Sequence, residues 1–492
     1  MKILIVNRFF GGAQIPTGRM AEDVALKLVE AGHEVVALAS SGEYVGAARR
    51  ADGIRHAAYG TRVEQVRVPK CMPRAFAWLW FTWQARERIP RMDWDVCVLM
   101  TDPPLLPLLA ARVKAAEGPR VDGTTGPRDV ARRVAVWLMD LYPEALAASG
   151  RIATSNPVYR WYFEKRQRAL SASDVLICLG EEQKALVERH EGEKVGRWEV
   201  SNREQGTGDG EQVERKDGAS VGQCLPSDLP HAVSQTRLSE AVKTETPKYR
   251  TTEPLCGALT DSVRTAVVPP WDDRGNIALA TENSLRNLAL YAGNLGEAHC
   301  FEEILAAAPY LPGDWTIRFA ARGAKLGALK AAASGTTGLR DNGTTRQEPE
   351  AANRTTRHRG NRTTGAKVEI TGYANEEETP GLLASARVHL ITMSPGWEGV
   401  VVPSKLYGCV RTGRPVLFIG PENADTAREV RAHDWGKVLP PGPSGEKVAG
   451  AILELATRPT RAPQLQHGAG EIAALLVATA GLQDNGLTGQ KE

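Results

Sequence analysis

Apolar residues fall along this chain in two alternating rhythms. Short, mostly apolar runs at residues 3–6, 34–40, 96–100, 134–139 and 175–179 have the character of strands covered on both faces. Between the first two, residues 20–30 carry apolar positions at helical spacing and stop at Gly32-His33. The second half restarts the pattern, with strands predicted at 288–292, 315–320, 368–371, 388–392 and 416–419 and helices at 301–308 and 376–386. Strands separated by helices of this size predict parallel sheets with helices on both faces. The fold class expected is α/β, two tandem doubly wound Rossmann-like domains facing a cleft. Such sheets take ligands at the carboxyl ends of their strands.

Three segments break the rhythm. Residues 190–262 are rich in Gly, Ser, Thr, Glu and Gln, residues 335–365 repeat Gly-Thr-Thr and Asn-Arg-Thr-Thr units, and residues 122–127 are a smaller echo. With so little apolar surface to bury, they are read as disordered insertions. The expected division is then 1–189 as a first domain, 190–262 as a linker, 263–440 as a second domain and 441–492 as a helical C-terminal segment. Asn342, Asn353 and Asn361 sit in glycosylation sequons that the repeat generates by chance. The basic run at 354–359 reads as a solvated loop, and no nucleic-acid partner is expected.

Length and charge narrow the class further. At 492 residues, 42% hydrophobic, 24% charged and with a net charge of +3, the chain reads as a soluble protein with more than one core. Seven scattered cysteines without a C-x-x-C pair suggest a reducing compartment and no zinc site. The opening apolar run is too short for a signal peptide, and no uncharged run spans a membrane, so a cytoplasmic location is expected.

The densest chemical signal is Pro-Gly-Trp-Glu-Gly-Val-Val-Val-Pro-Ser-Lys-Leu-Tyr-Gly at residues 395–408. Glu398 lies on a Gly-bearing loop, Pro403 stands where a helix should begin, and Gly413 and Pro415 stand where it should stop. Free N–H groups and the positive end of the helix dipole then face the Glu398 loop. An acid beside a phosphate cradle suits a ligand bearing both hydroxyls and phosphates, as a sugar nucleotide does. Gly18 lets the backbone approach a ligand. A nicotinamide site is disfavoured, because no G-x-G-x-x-G precedes it and the second strand ends in Ser40-Ser41. Asp140, ending a strand on the cleft side, either orients an acceptor hydroxyl or starts the turn before Pro143. Asp93-Trp94-Asp95 has the form of a metal-binding D-x-D but precedes its strand, at the end away from the cleft. Phe76, Trp78, Trp80, Phe81 and Trp83, flanked by Arg74, Arg86, Arg88 and Arg91, suit docking at a membrane interface; the alternative is a helix packed on its own domain.

Several pieces in order resemble the retaining, nucleotide-sugar-dependent glycosyltransferases of family 4, with GT-B architecture. They are Thr17-Gly18-Arg19, Gly32-His33-Glu34-Val35, Thr101-Asp-Pro-Pro104, Asp140-Leu-Tyr-Pro-Glu144, Val268-Pro-Pro-Trp271, Tyr291-Ala-Gly-Asn-Leu-Gly296, Gly323-Ala-Lys325 and the segment from Glu398 to Pro415. The Ser-Lys-Leu-Tyr helix is similar to that of the bacterial branch building exopolysaccharide and O-antigen. The resemblance implies a donor on the second half, an acceptor on the first, and no essential metal or cofactor. It implies that Glu398 bonds donor-sugar hydroxyls while the N–H groups of Gly399 and Val400 meet the diphosphate. Where the family carries a second glutamate for the ribose, this chain has Gly408. Where the family places Arg and Lys after Gly293, it has Asn294 and His299 with Glu297 between them, leaving Lys325, Ser404 and Lys405 to complete the diphosphate site. The implied acceptor is a glycan or a polyprenyl-diphosphate-linked one, which fits docking on the inner face of a membrane. Two other classes stay open: a degenerate sensor or scaffold of the same fold, and a sugar-nucleotide epimerase.

Overall fold

The computed structural model describes residues 1–11, 15–40, 60–69, 72–116, 132–188, 264–272, 277–281, 285–334, 365–375, 377–465 and 468–481. The expected insertions at 122–127, 190–262 and 335–365, with the basic run and the three sequons, lie outside the described residues, except for Gly365 at the edge.

The first sheet comprises β1 (Lys2–Val6), β2 (Glu34–Ser40), β3 (Arg62–Val66), β4 (Val96–Met100), β5 (Arg133–Trp137), β6 (Val175–Cys178) and β7 (Arg264–Val267). Its order is β3-β2-β1-β4-β5-β6-β7, with every pair parallel. The second comprises β8 (Leu288–Asn294), β9 (Thr316–Arg322), β10 (Lys367–Thr371), β11 (Val388–Thr392), β12 (Val416–Ile419) and β13 (Gly436–Leu439). Its order, β10-β9-β8-β11-β12-β13, repeats the same winding, again all parallel. In each sheet the order reverses between the first and fourth strands, which opens a crevice beyond their carboxyl ends. The central strands are the apolar runs read from the sequence: β4, β5 and β11 are buried at every position, so helices cover both faces.

Three strands were not anticipated. β3, β7 and β13 are the polar or half-buried pieces Arg-Val-Glu-Gln-Val, Arg-Thr-Ala-Val and Gly-Lys-Val-Leu, all three at sheet edges. An edge strand is held by backbone pairing on one side and needs no apolar run. The division of the sheets also differs from the expected boundary at 263, because β7 pairs with β6 and completes the first sheet. The C-terminal segment divides likewise. Helix Gly445–Ala456 packs on the second half, whereas helix Gly468–Ala480 returns to helix Pro16–Glu30 of the first. There Ile472 and Leu476 join Ile3, Ile5 and Val24 in one core. Trp271 anchors the crossing: it stacks on Trp137 with ring centroids 5.9 Å apart, and its Nε1 donates to Asp23 at 2.8 Å.

Helix Arg74–Arg88 corrects one expectation directly. Phe81, expected to face a membrane, is fully buried against the first core with Leu4, Val36 and Leu99. Trp78 and Trp80 are half-buried, and Trp80 Nε1 donates to the Arg67 carbonyl at 3.0 Å. Phe76, Leu79 and Trp83 stand out, at 61%, 55% and 49% exposure. Among the described residues no helix is long and apolar enough to cross a membrane.

Candidate functional site

The crevice of the second sheet lies between the ends of β8 and β11. β8 ends in Gly293-Asn294, and the chain leaving β11 at Thr392 forms the Glu398 loop. Trp397 is buried beneath the loop and Glu398 is half-buried. The Oε2 atom of Glu398 is buried and has no hydrogen-bond partner among the described residues. A buried acceptor left unmade costs about 1–3 kcal/mol, so this atom suits a ligand hydroxyl.

The same loop is pinned to the first half. Gly399 has φ +69°, and a Cβ there would lie 2.6 Å from the Glu182 carbonyl carbon, so only glycine fits without displacement. The Val400 carbonyl accepts from the Leu141 N–H at 2.9 Å. Asp140, exposed at the end of β5, is thereby held one residue from this contact. The Val400 N–H does not face the crevice as expected: it donates to the Trp397 carbonyl at 3.1 Å, closing the turn. The following helix is also shorter than the punctuation predicted. It runs over six residues, Lys405–Val410, begins two residues after Pro403, and has Ser404 at its N-cap without a side-chain cap bond. Gly408 is buried within it.

Around Lys405 the structure assembles a polar nest. Its Nζ donates to the Tyr291 Oη at 2.7 Å and lies 3.3 Å from His299 Nε2. His299 Nδ1 sits 2.6 Å from the Thr392 carbonyl oxygen, across the crevice from β8 to β11. A carbonyl can only accept, so Nδ1 carries the proton and Nε2 offers its lone pair to Lys405. Burial, then the Lys405 charge, push His299 well below the usual histidine range. It is neutral at pH 7 and so supplies no charge in place of the family's Arg and Lys. Burial also lowers the Lys405 amine from 10.5 to about 7. Lys325 Nζ turns to the His299 carbonyl at 2.6 Å.

The remaining expected residues separate. Gly293, at φ +141°, flanks the Lys405 side chain, and Asn294 is exposed at the mouth of the crevice. Glu297, an awkward charge beside the expected phosphate site, pairs with Arg151 of the first half at 3.1 Å. Gly18 makes room for the chain itself: a Cβ there would meet the Gly11 carbonyl oxygen at 2.7 Å. The Asp93-Trp94-Asp95 motif is spent on the start of β1, where Asp95 accepts the Lys2 N–H at 2.7 Å and Asp93 pairs with the Lys2 ammonium. Among the described residues no group of three or more His, Cys, Asp or Glu is placed to hold a metal ion.

Sequence reasoning missed Arg322. It ends β9 directly opposite Asn294 in register, and its guanidinium lies 4.3 Å from the Tyr373 ring centroid. Hydrophobicity marks that strand only to residue 320, so a cation two residues further looks like loop surface. The usable signal was Gly323, whose φ of +128° marks the strand's end.

No protein-family model and no curated protein sequence matches the chain. Among solved structures it is similar to the sucrose-phosphate synthase of Thermosynechococcus elongatus, at 12% identity and a TM-score of 0.54, over 97% of this chain and 96% of that one. The fold is GT-B. Similarity also extends to Anabaena Alr3699/HepE in complex with UDP and glucose, at 12% identity and a TM-score of 0.49, over 98% and 97% of the two chains. WaaG, a glycosyltransferase involved in lipopolysaccharide biosynthesis, matches at 14% identity and 0.46, over 98% and 96%. At such identities the similarity is one of architecture, and the chemistry rests on this chain's own residues.

Proposed function

We propose that the protein is a glycosyltransferase moving a hexose or amino-hexose from a nucleotide sugar to a glycan or lipid-linked acceptor. The observation carrying this reading is a buried carboxylate oxygen of Glu398, without a hydrogen-bond partner among the described residues, on the loop leading into the helix that bears the Lys405 amine nest. Glu398 would take hydroxyls of the donor sugar. Lys405 and the Gly399 N–H would face the diphosphate, and Arg322 adds a permanent cation at the crevice mouth. Charge grows on the leaving diphosphate as the glycosidic bond breaks, and donors already aimed there lower the barrier. Asp140, on the first half, would orient the acceptor hydroxyl. Retention of configuration, membership of family 4, independence of metal and a role in cell-surface polysaccharide synthesis are supported by the sequence resemblance. Peripheral attachment to the inner membrane face is supported by the exposed Phe76, Leu79 and Trp83.

The test is turnover of sugar nucleotides by the wild type and Glu398→Gln. Loss of about 10- to 100-fold in kcat/KM is expected, the scale of removing one hydrogen bond to a charged group. Full activity in the variant would displace Glu398 from the site. Gly408, the neutral His299 and the engaged Val400 N–H favour a second reading, a sugar-nucleotide sensor. It predicts binding without release of nucleoside diphosphate, even with lipid-linked acceptors present.

A further inference from the structure

Lys405 sits among groups that carry no opposing charge. Tyr291 on β8 and His299 on the loop after it accept its N–H groups. Cys300 on that loop and Cys409 on the lysine's own helix are the other titratable groups that act on it. Burial raises the Tyr291 hydroxyl well above its usual range and the Cys300 thiol to about 12, so both stay protonated at neutral pH. Beyond His299, Lys325 adds positive charge, and no carboxylate among the described residues forms an ion pair with Lys405. Burying a cation against neutral acceptors leaves its desolvation uncompensated, and an anion is the partner such a nest lacks.

We propose that this nest is a proton-coupled anion site, in which the diphosphate of a sugar nucleotide draws one proton from solvent onto Lys405 as it binds. The inference rests on the donor reading above and adds a chemical requirement to it. The lone pair of the free amine takes H⁺ from the buffer, and no bond in the ligand breaks. Geometry supplies the direction: the nest faces Gly293, whose missing side chain leaves the strand end open beside the lysine. The depressed titration of the amine, to about 7, agrees with that geometry. A neighbouring phosphate favours the charged form and carries the amine back toward its ordinary range.

The experiment is titration calorimetry of the full chain with UDP-glucose, UDP-N-acetylglucosamine and GDP-mannose, continued with whichever binds. Their diphosphates are diesters and do not titrate near neutrality. Runs at one pH in buffers of different ionisation enthalpy give the protons taken up. At about pH 8 uptake close to one proton is expected, and affinity falls by up to about tenfold per pH unit from about pH 7.5 to about 9. Lys405→Arg, permanently charged, should bind without uptake and without that pH slope. Wild-type binding with no proton uptake overturns the proposal and leaves the donor reading standing. Uptake persisting unchanged in Lys405→Arg also overturns it. Binding of none of these donors at any pH overturns both.

Discussion

Lys405 holds its place at a cost to the folded protein. In the unfolded chain the amine titrates near 10.5, and in the folded chain near 7. Between those values the unfolded state binds more protons, so this group makes stability rise with pH from about 7 to about 10. Below that window the penalty is fully present. Lys405→Met should therefore be more stable than the wild type near pH 6, with the difference shrinking as pH rises. Thermal unfolding midpoints across this range check it; parallel curves for the two proteins would mean that the lysine is solvated. Gly399 is a second residue-scale test. Gly399→Ala must place a side chain at φ +69° and 2.6 Å from the Glu182 backbone, at an expected cost of about 1–3 kcal/mol in denaturant titrations.

Elements decide which side chains are available. In helix Arg74–Arg88 the sequence shows aromatics mixed with arginines, and only the helix's docked register sorts them. Phe81 turns inward while Phe76 and Trp83 turn outward. Phe81→Ala should cost about 3–5 kcal/mol, the usual range for emptying a buried ring site. Phe76→Ser with Trp83→Ser should leave unfolding free energy within about 0.5 kcal/mol per site. The double variant should also lose binding to anionic lipid vesicles in a flotation assay. Unchanged vesicle binding would remove this helix from any membrane contact. The strands teach the complementary lesson: the central ones were legible because burial on both faces demands unbroken apolar runs. β3 and β13 were not, since an edge needs only a neighbour's backbone to pair with.

At the scale of the whole molecule, the two halves meet through further contacts besides those of the Glu398 loop. The Asp425 carboxylate accepts the Glu182 N–H at 3.2 Å, at the start of helix Glu181–Glu188, a cap supplied from the other half. Arg428 pairs with Glu182, and Arg151 with Glu297 at 3.1 Å. Burial raises Asp425 above the usual carboxylate range, which leaves its charged form dependent on that helix start and on Arg428. Asp425→Ala should loosen the halves without disturbing either sheet core. Small-angle scattering should then report a larger radius of gyration, and the KM for donor should rise. An unchanged scattering curve and KM would show that the other cross-contacts suffice.

By itself, the sequence determined the two windings, their central strands and the place of the acid-bearing loop. Hydrophobic period and Gly or Pro punctuation act within a few residues, so those features survive in one dimension. Tertiary structure alone decided that Val400 spends its N–H on Trp397 and that Phe81 faces the core. It also decided that His299 is neutral and that Lys405 is only about half charged at pH 7. These depend on partners 93 and 114 residues away in the chain, Thr392 for His299 and Tyr291 for Lys405. The charge on a side chain is set by what surrounds it, and only the folded chain brings those surroundings together.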